Sequence, residues 1–135
     1  MRFAKFIPMS AALALMALSA ATPATAHHSF ALFDVEKHVM LEGKVRKFEW
    51  TNPHSWLRVM VDDQTTGKPM QWAVEMGSPA QQAQRGWKPD SVRPGDKVSV
   101  TIHPLKDGSR GGQFLSAVLP NGQTLSNPGR RPGAD

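Results

Sequence analysis

Histidine supplies most of the coordination chemistry this chain can offer, at His27, His28, His38, His54 and His103. His27 and His28 matter through what precedes them. A cut before His27 gives that residue a free α-amine with a pKa of about 8 beside an imidazole of about 6.5. Amine and imidazole nitrogen of one residue chelate one ion, and a second imidazole completes a T-shaped three-nitrogen set, the histidine brace. All-nitrogen ligands favour Cu(II) among the first-row divalent ions, so copper is the cofactor these residues suggest. A cut after Ala24 would instead leave a Thr25-Ala26-His27 terminus with histidine at position three, also a Cu(II) or Ni(II) chelate.

The remaining histidines carry competing readings. His54 sits in Thr51-Asn52-Pro53-His54-Ser55, either as a ligand or as a turn residue whose ring bonds the backbone. His103 ends an alternating run and is either a ligand or an inert outward strand residue. His38 has no partner in view and reads as surface. Met40, Met60, Met70 and Met76 recur at strand spacing, which fits core or half-buried packing better than soft-metal ligation. Trp50 and Trp56 bracket the Asn-Pro-His loop, and Trp72 and Trp87 flank a helix signal. Aromatics on a barrel face can stack on sugars or single strands, although packing at core and rim is the commoner use. Glu49 and Glu75 would suit acid/base work, but nothing in their spacing brings them together. There is no Ser-His-Asp order, glycine-rich phosphate loop or helical His pair. The chain therefore carries no catalytic signature and is read as a non-enzyme.

The cut that frees His27 is itself written in the first 26 residues. Arg2 and Lys5 open the chain with no acid among them. An apolar run follows, densest from Ala11 to Leu18, and Ala24-Thr25-Ala26 closes it with small side chains. Basic start, short apolar middle and small-x-small end form a secretory signal. The apolar middle is too short for a mature membrane span. No cysteine follows it, and no twin arginine precedes it, which favours the general secretion route. The expected compartment is the periplasm, with no membrane span after cleavage.

Composition narrows the partners. Removing Arg2 and Lys5 from 16 basic residues leaves 14 against 11 acids, or +3. The isoelectric point of about 10.0 thus overstates the folded part, because Arg130 and Arg131 also lie in a Pro/Gly-rich tail. A basic groove is unsupported, and nucleic acid is the least expected partner. With no cysteine, an oxidising compartment supplies no disulfide staples. The domain must hold itself by its own core.

The elements that would position these residues read as strands separated by turns. A short arm with Phe30, Leu32 and Phe33 comes first. Strand one runs over about 39–50, with Leu41, Gly43 and Val45 in one phase and Phe48 and Trp50 out of it. A phase slip with a glycine predicts a bulge or sharp bend. Strand two, about 55–62, alternates Leu57, Val59 and Val61 against Trp56, Arg58 and Met60. Strand three, about 70–76, alternates Met70, Trp72, Val74 and Met76 against Gln71, Ala73 and Glu75. Ser78, Pro79, Gln81 and Gly86 then spell a capped helix of about two turns. Strand four covers about 97–103 and strand five about 113–119, followed by a tight Asn121-Gly122 turn.

Three strands, a short helix and two strands are the order of an OB-fold, so the fold class is all-β, a small five-stranded OB-fold-like barrel with one helix between strands three and four. The domains are a signal peptide at 1–26, an N-terminal arm at 27–38, the barrel at 39–125 and a disordered tail at 126–135. In such a barrel the loops joining strands one to two and four to five form one mouth. His54 and His103 would meet there, within reach of the arm.

The blocks His27-His28-Ser29-Phe30, Phe33-Asp34, Glu49-Trp50-Thr51-Asn52-Pro53-His54-Ser55-Trp56, Trp72-x-x-Glu75-x-Gly77-Ser78-Pro79, Gly86-Trp87 and Pro94-Gly95-Asp96-x-Val98 together resemble an uncharacterised family of small bacterial exported proteins, classed as a domain of unknown function. The resemblance spans His27 to about Leu125. It implies an exported small β-barrel with a His-His start and an Asn-Pro-His loop, without an activity. It supports His27, His28, Asn52 and His54 as positions of interest, and adds nothing for His38 or His103.

The leading expectation is a periplasmic binding module that holds a transition metal, copper, through His27, His28 and His54, with His103 as a further candidate ligand. The alternative is a metal-independent module for an envelope glycan or partner protein, using Trp50, Asn52, Trp56, Trp72 and Glu75. A copper oxidase or oxygenase is a more remote third class.

Overall fold

The computed structural model describes residues 29–127. The expected signal peptide at 1–26, His27 and His28 lie outside the described residues, as does 128–135. A helical turn α1 (Ser29–Leu32) leads into β1 (Val39–Glu49), β2 (Trp56–Asp62) and β3 (Pro69–Glu75). Helix α2 (Pro79–Gln84) follows, then β4 (Lys97–Pro104), β5 (Gly111–Val118) and a short β6 (Thr124–Ser126).

Alternation along each strand decides which residues meet in the interior. Leu57 and Val59 on β2, Val74 on β3, Val98, Val100 and Ile102 on β4, and Phe114 and Ala117 on β5 are buried. Their polar neighbours face out, as a period of two demands. The strands run in the order β3-β2-β1-β4-β5-β6, and β3 also pairs with β5, so five of them close on themselves. The β3–β5 pairing is parallel, joining Ala73–Glu75 to Gly111–Gln113, while the other ladders are antiparallel. The result is the closed OB-fold-like barrel expected from the element order.

β1 serves two neighbours. Its first half pairs with β4, from Val39↔Ile102 to Lys44↔Lys97, and its second half pairs with β2, from Lys44↔Met60 to Glu49↔Trp56. The expected irregularity is present, as a register shift between Val45 and Lys47. Gly43 makes the bend possible, because a Cβ there would lie 2.1 Å from the Met60 carbonyl oxygen. Only a residue without a side chain admits so close an approach.

Helix α2 begins as its sequence reads. Ser78 and Gln81 form a reciprocal capping box and Pro79 takes the first turn. Gly86, at φ +92°, turns the chain away. Trp87 then plugs the barrel end, edge-on to Phe114 at 5.5 Å and against Phe48 at 5.4 Å. Met76 is buried as expected, whereas Met40 is 64% exposed and joins no core.

The C-terminal boundary needs correcting. The Asn121-Gly122 turn folds back into β6, which covers the last residues of β5 that β3 does not reach. Ser126, expected to open a disordered tail, ends that strand. Asn127 is anchored too, donating its N–H to the Leu115 carbonyl at 2.7 Å. Three residues are too few to show periodicity, which is why β6 escapes a pattern-based reading.

Candidate functional site

Cross-strand register assembles one row of residues around an end of the barrel. Glu49 pairs with Trp56, Trp56 with Glu75, Glu75 with Gln113, and Gln113 with His103. Continuing the β1–β4 register one step beyond Val39↔Ile102 sets His38 opposite His103. The row belongs to the outward phase, since its neighbours Leu57, Val74, Gly112 and Ile102 are buried.

The Asn-Pro-His loop overhangs this row. Thr51 donates its hydroxyl to the His54 carbonyl at 2.9 Å, and Asn52 is joined to Pro53 by a cis peptide at the exposed tip. Ser55, fully buried, extends the β2–β3 ladder by exchanging backbone hydrogen bonds with Met76 and Gly77. That anchorage fixes the ring of His54. Its Nδ1 lies 3.1 Å from the Met76 carbonyl and 3.5 Å from Glu75 Oε1. A carbonyl only accepts, so Nδ1 carries the proton, and Nε2 of the neutral ring keeps its lone pair.

His103 is held in the same manner from another element. Its Nδ1 donates to the Lys37 carbonyl at 2.9 Å. The His38 ring packs on it, with centroids 5.0 Å apart and planes tilted by 48°. The arm is pinned beside them, because Phe33 bridges to Leu105, Asp34 N–H donates to the Pro104 carbonyl, and Lys106 N–H donates to the Leu32 carbonyl.

On the other flank the row is charged and aromatic. The Arg58 guanidinium lies 4.8 Å over the Trp56 ring and donates to Glu49 at 2.8 Å. Lys47 donates to the other Glu49 oxygen at 3.1 Å. These two donors, Arg58 first, hold the Glu49 carboxyl below the ordinary glutamate range. The Lys37 ammonium likewise lowers Asp34 in the arm.

The sequence-derived candidates thus separate into groups. His54, Trp56 and Glu75 come together, with Asn52 exposed on the loop above. His103 lies on the same barrel end, but two strand steps from Glu75, roughly 10 Å. Trp50 and Trp72 pack partly buried against the core, Trp50 edge-on to Phe48 at 5.7 Å. Of the three tryptophans considered for an aromatic face, Trp56 stands on the outer strip. Glu49 and Glu75 stand on either side of Trp56 in register and are not neighbours. Sequence reasoning missed the Arg58–Glu49–Lys47 cluster and the His38–His103 pair. Strand register, which no single strand records, creates the second.

Among the described residues no three histidine or acidic side chains converge to hold a metal ion. A shallow surface depression lies at the other end of β4, lined by Met40, Lys44, Met60, Lys97 and Pro120 among others, with no histidine in its lining. No helix among the described residues is long and apolar enough to cross a membrane.

Fold and site define a small OB-fold-like barrel protein with a polar, histidine-edged strip on one end of its outer surface. The chain belongs to a family of unknown function, DUF6152, whose family model matches residues 14–114. No curated protein matches it. Among solved structures, the mitochondrial single-stranded DNA binding protein Rim1 from S. cerevisiae is similar at a TM-score of 0.44 and 14% identity, over 67% of this chain and 96% of that one.

Proposed function

We propose that the chain is exported to the periplasm, is cut after Ala26, and there binds one copper ion through nitrogen ligands. The amine and imidazole of His27 form the chelate, His28 lies beside it, and imidazoles at the barrel rim complete the set. The supporting observation is the way both rim rings are held. His54 and His103 each give Nδ1–H to a backbone carbonyl, at 3.1 and 2.9 Å. That second hydrogen bond is the usual companion of a metal-ligating imidazole, since it fixes the tautomer and directs the free nitrogen outward. The remaining donors of this proposal come from the mature terminus. The His27 amine and ring are of the right chemistry.

Titration of correctly processed protein with Cu(II) tests this. The expected result is one-to-one binding tighter than about 1 μM, lost in His27→Ala. Binding weaker than that, or unchanged by His27→Ala, overturns the reading.

A second reading is favoured by the Arg58–Trp56 stack, in which the strip binds an envelope glycan or partner protein without metal through Trp56, Asn52 and Glu75. Tryptophan fluorescence that responds to envelope glycans in the presence of a strong chelator, and loses the response in Trp56→Ala, would establish it over the copper reading.

A further inference from the structure

We infer that the rim ligands for this ion are His38 and His103 acting as a cis pair, and that His54 is not a ligand. The inference rests on the copper reading above but names a different set of residues. A metal–nitrogen bond of about 2.0 Å puts an imidazole centre roughly 3 Å from the ion. Two imidazoles at about 90–110° on one ion then have centres roughly 4.5–5 Å apart. The His38 and His103 centroids are 5.0 Å apart.

The pair is built into the fold. His103 gives its Nδ1–H to the carbonyl of Lys37, the residue bonded to His38, so one backbone segment supplies one ring and orients the other. With Nδ1 committed, Nε2 is the nitrogen left to ligate. His38 is exposed and His103 half-buried, so an ion has access from solvent.

The arm enters at the same corner. Leu32 is tied to Lys106 and Phe33 to Leu105, both in the β4–β5 connection that follows His103. His28 lies four residues before Leu32 in the sequence. The root of the arm is therefore at His103, whereas β5 and β3 separate His103 from the His54 side of the barrel. His54 is held by the Met76 carbonyl in the same way as His103 is by Lys37, but beside Glu75 and across those two strands from the arm.

Cu(II) binding should be measured on the mature protein and on His38→Ala, His103→Ala, His103→Gln, His54→Ala and His27→Ala, with nitrogen coupling in the Cu(II) paramagnetic resonance spectrum as second readout. His38→Ala and both His103 variants should each weaken binding at least tenfold and simplify the nitrogen coupling. His54→Ala should stay within twofold of the parent. His38 is exposed and outside the core, so His38→Ala remains informative should a His103 variant fold poorly. Loss of affinity in His54→Ala with no change in the His38 and His103 variants overturns the pair and leaves copper binding intact. Loss in the pair variants with His27→Ala unchanged supports the pair and refutes the terminal chelate. Absence of Cu(II) binding in the parent refutes both.

Discussion

Replacing Gly43 by alanine probes the bend on which the barrel depends. The added Cβ would stand 2.1 Å from the Met60 carbonyl oxygen, 2.9 Å from its carbon and 3.0 Å from a Val59 methyl. A carbon–oxygen contact relaxes at roughly 3.3 Å, so strands must separate by about 1 Å. No rotamer can absorb this, since the obstacle is backbone. It also falls one residue before Lys44, where the two β1 ladders meet. Overpacking of this kind costs about 1–3 kcal/mol, and the reduced freedom of the unfolded chain returns about 0.4–1. With the obstacle in backbone, a net loss of about 2 kcal/mol is expected, or a fall in Tm of roughly 8–16 °C for a domain near this size. Gly67→Ala is the comparison, because its Cβ meets nothing within 4 Å and only the φ of +68° opposes it. Circular-dichroism melts of both variants give the answer. A Gly43→Ala melt within about 3 °C of the parent, or above that of Gly67→Ala, would refute the close-approach account of β1.

Other consequences are equally open to measurement. Asn127→Ala removes the acceptor of Arg85 at 2.7 Å and the donor to the Phe114 carbonyl at 3.2 Å. It should cost about 1–2 kcal/mol, and an unchanged melting temperature would count against Asn127 as an anchor. Folding lowers the Glu49 pKa from its ordinary 4.5, chiefly through Arg58. The unfolded chain therefore takes up this proton first as pH falls. The stabilisation is complete above the unfolded value and is lost as pH drops through the lower folded one. Arg58→Gln should move the Glu49 carboxyl titration, followed by NMR, upward; an unmoved titration would mean the ion pair is not formed in solution.

Much of the barrel is legible because burial and phase coincide. Val98, Val100 and Ile102 alternate with Ser99, Thr101 and His103, and each falls on the face its polarity requires. The slip between Val45 and Phe48 announces the register shift, and Ser78 to Gln81 spells out its own cap. Trp72, offered above for an aromatic face, shares a phase with Val74 and Met76, the buried set, and packs against the core instead. Trp56 shares a phase with Arg58 and stays outside. What pattern cannot supply is the pairing of remote segments. His38 and His103 are 65 positions apart in sequence and become neighbours only through the β1–β4 register. The charged cluster at Glu49 depends on the β1–β2 register in the same way.

The parallel junction of β3 with β5 closes the barrel with three residue pairs, against seven between β2 and β3. Gly111 and Gly112 form most of one side, and Gly112 admits no side chain because a Cβ would sit 2.3 Å from the His103 carbonyl oxygen. Such a junction is the weakest line in the closed sheet, and its amides should exchange with solvent before those of the longer ladders. The outer row from Trp56 through Glu75 and Gln113 to His103 crosses that line. A ligand that gripped residues on both sides would act as a stitch, slowing exchange along the whole junction and raising the stability of the barrel by as much as it prefers the closed form.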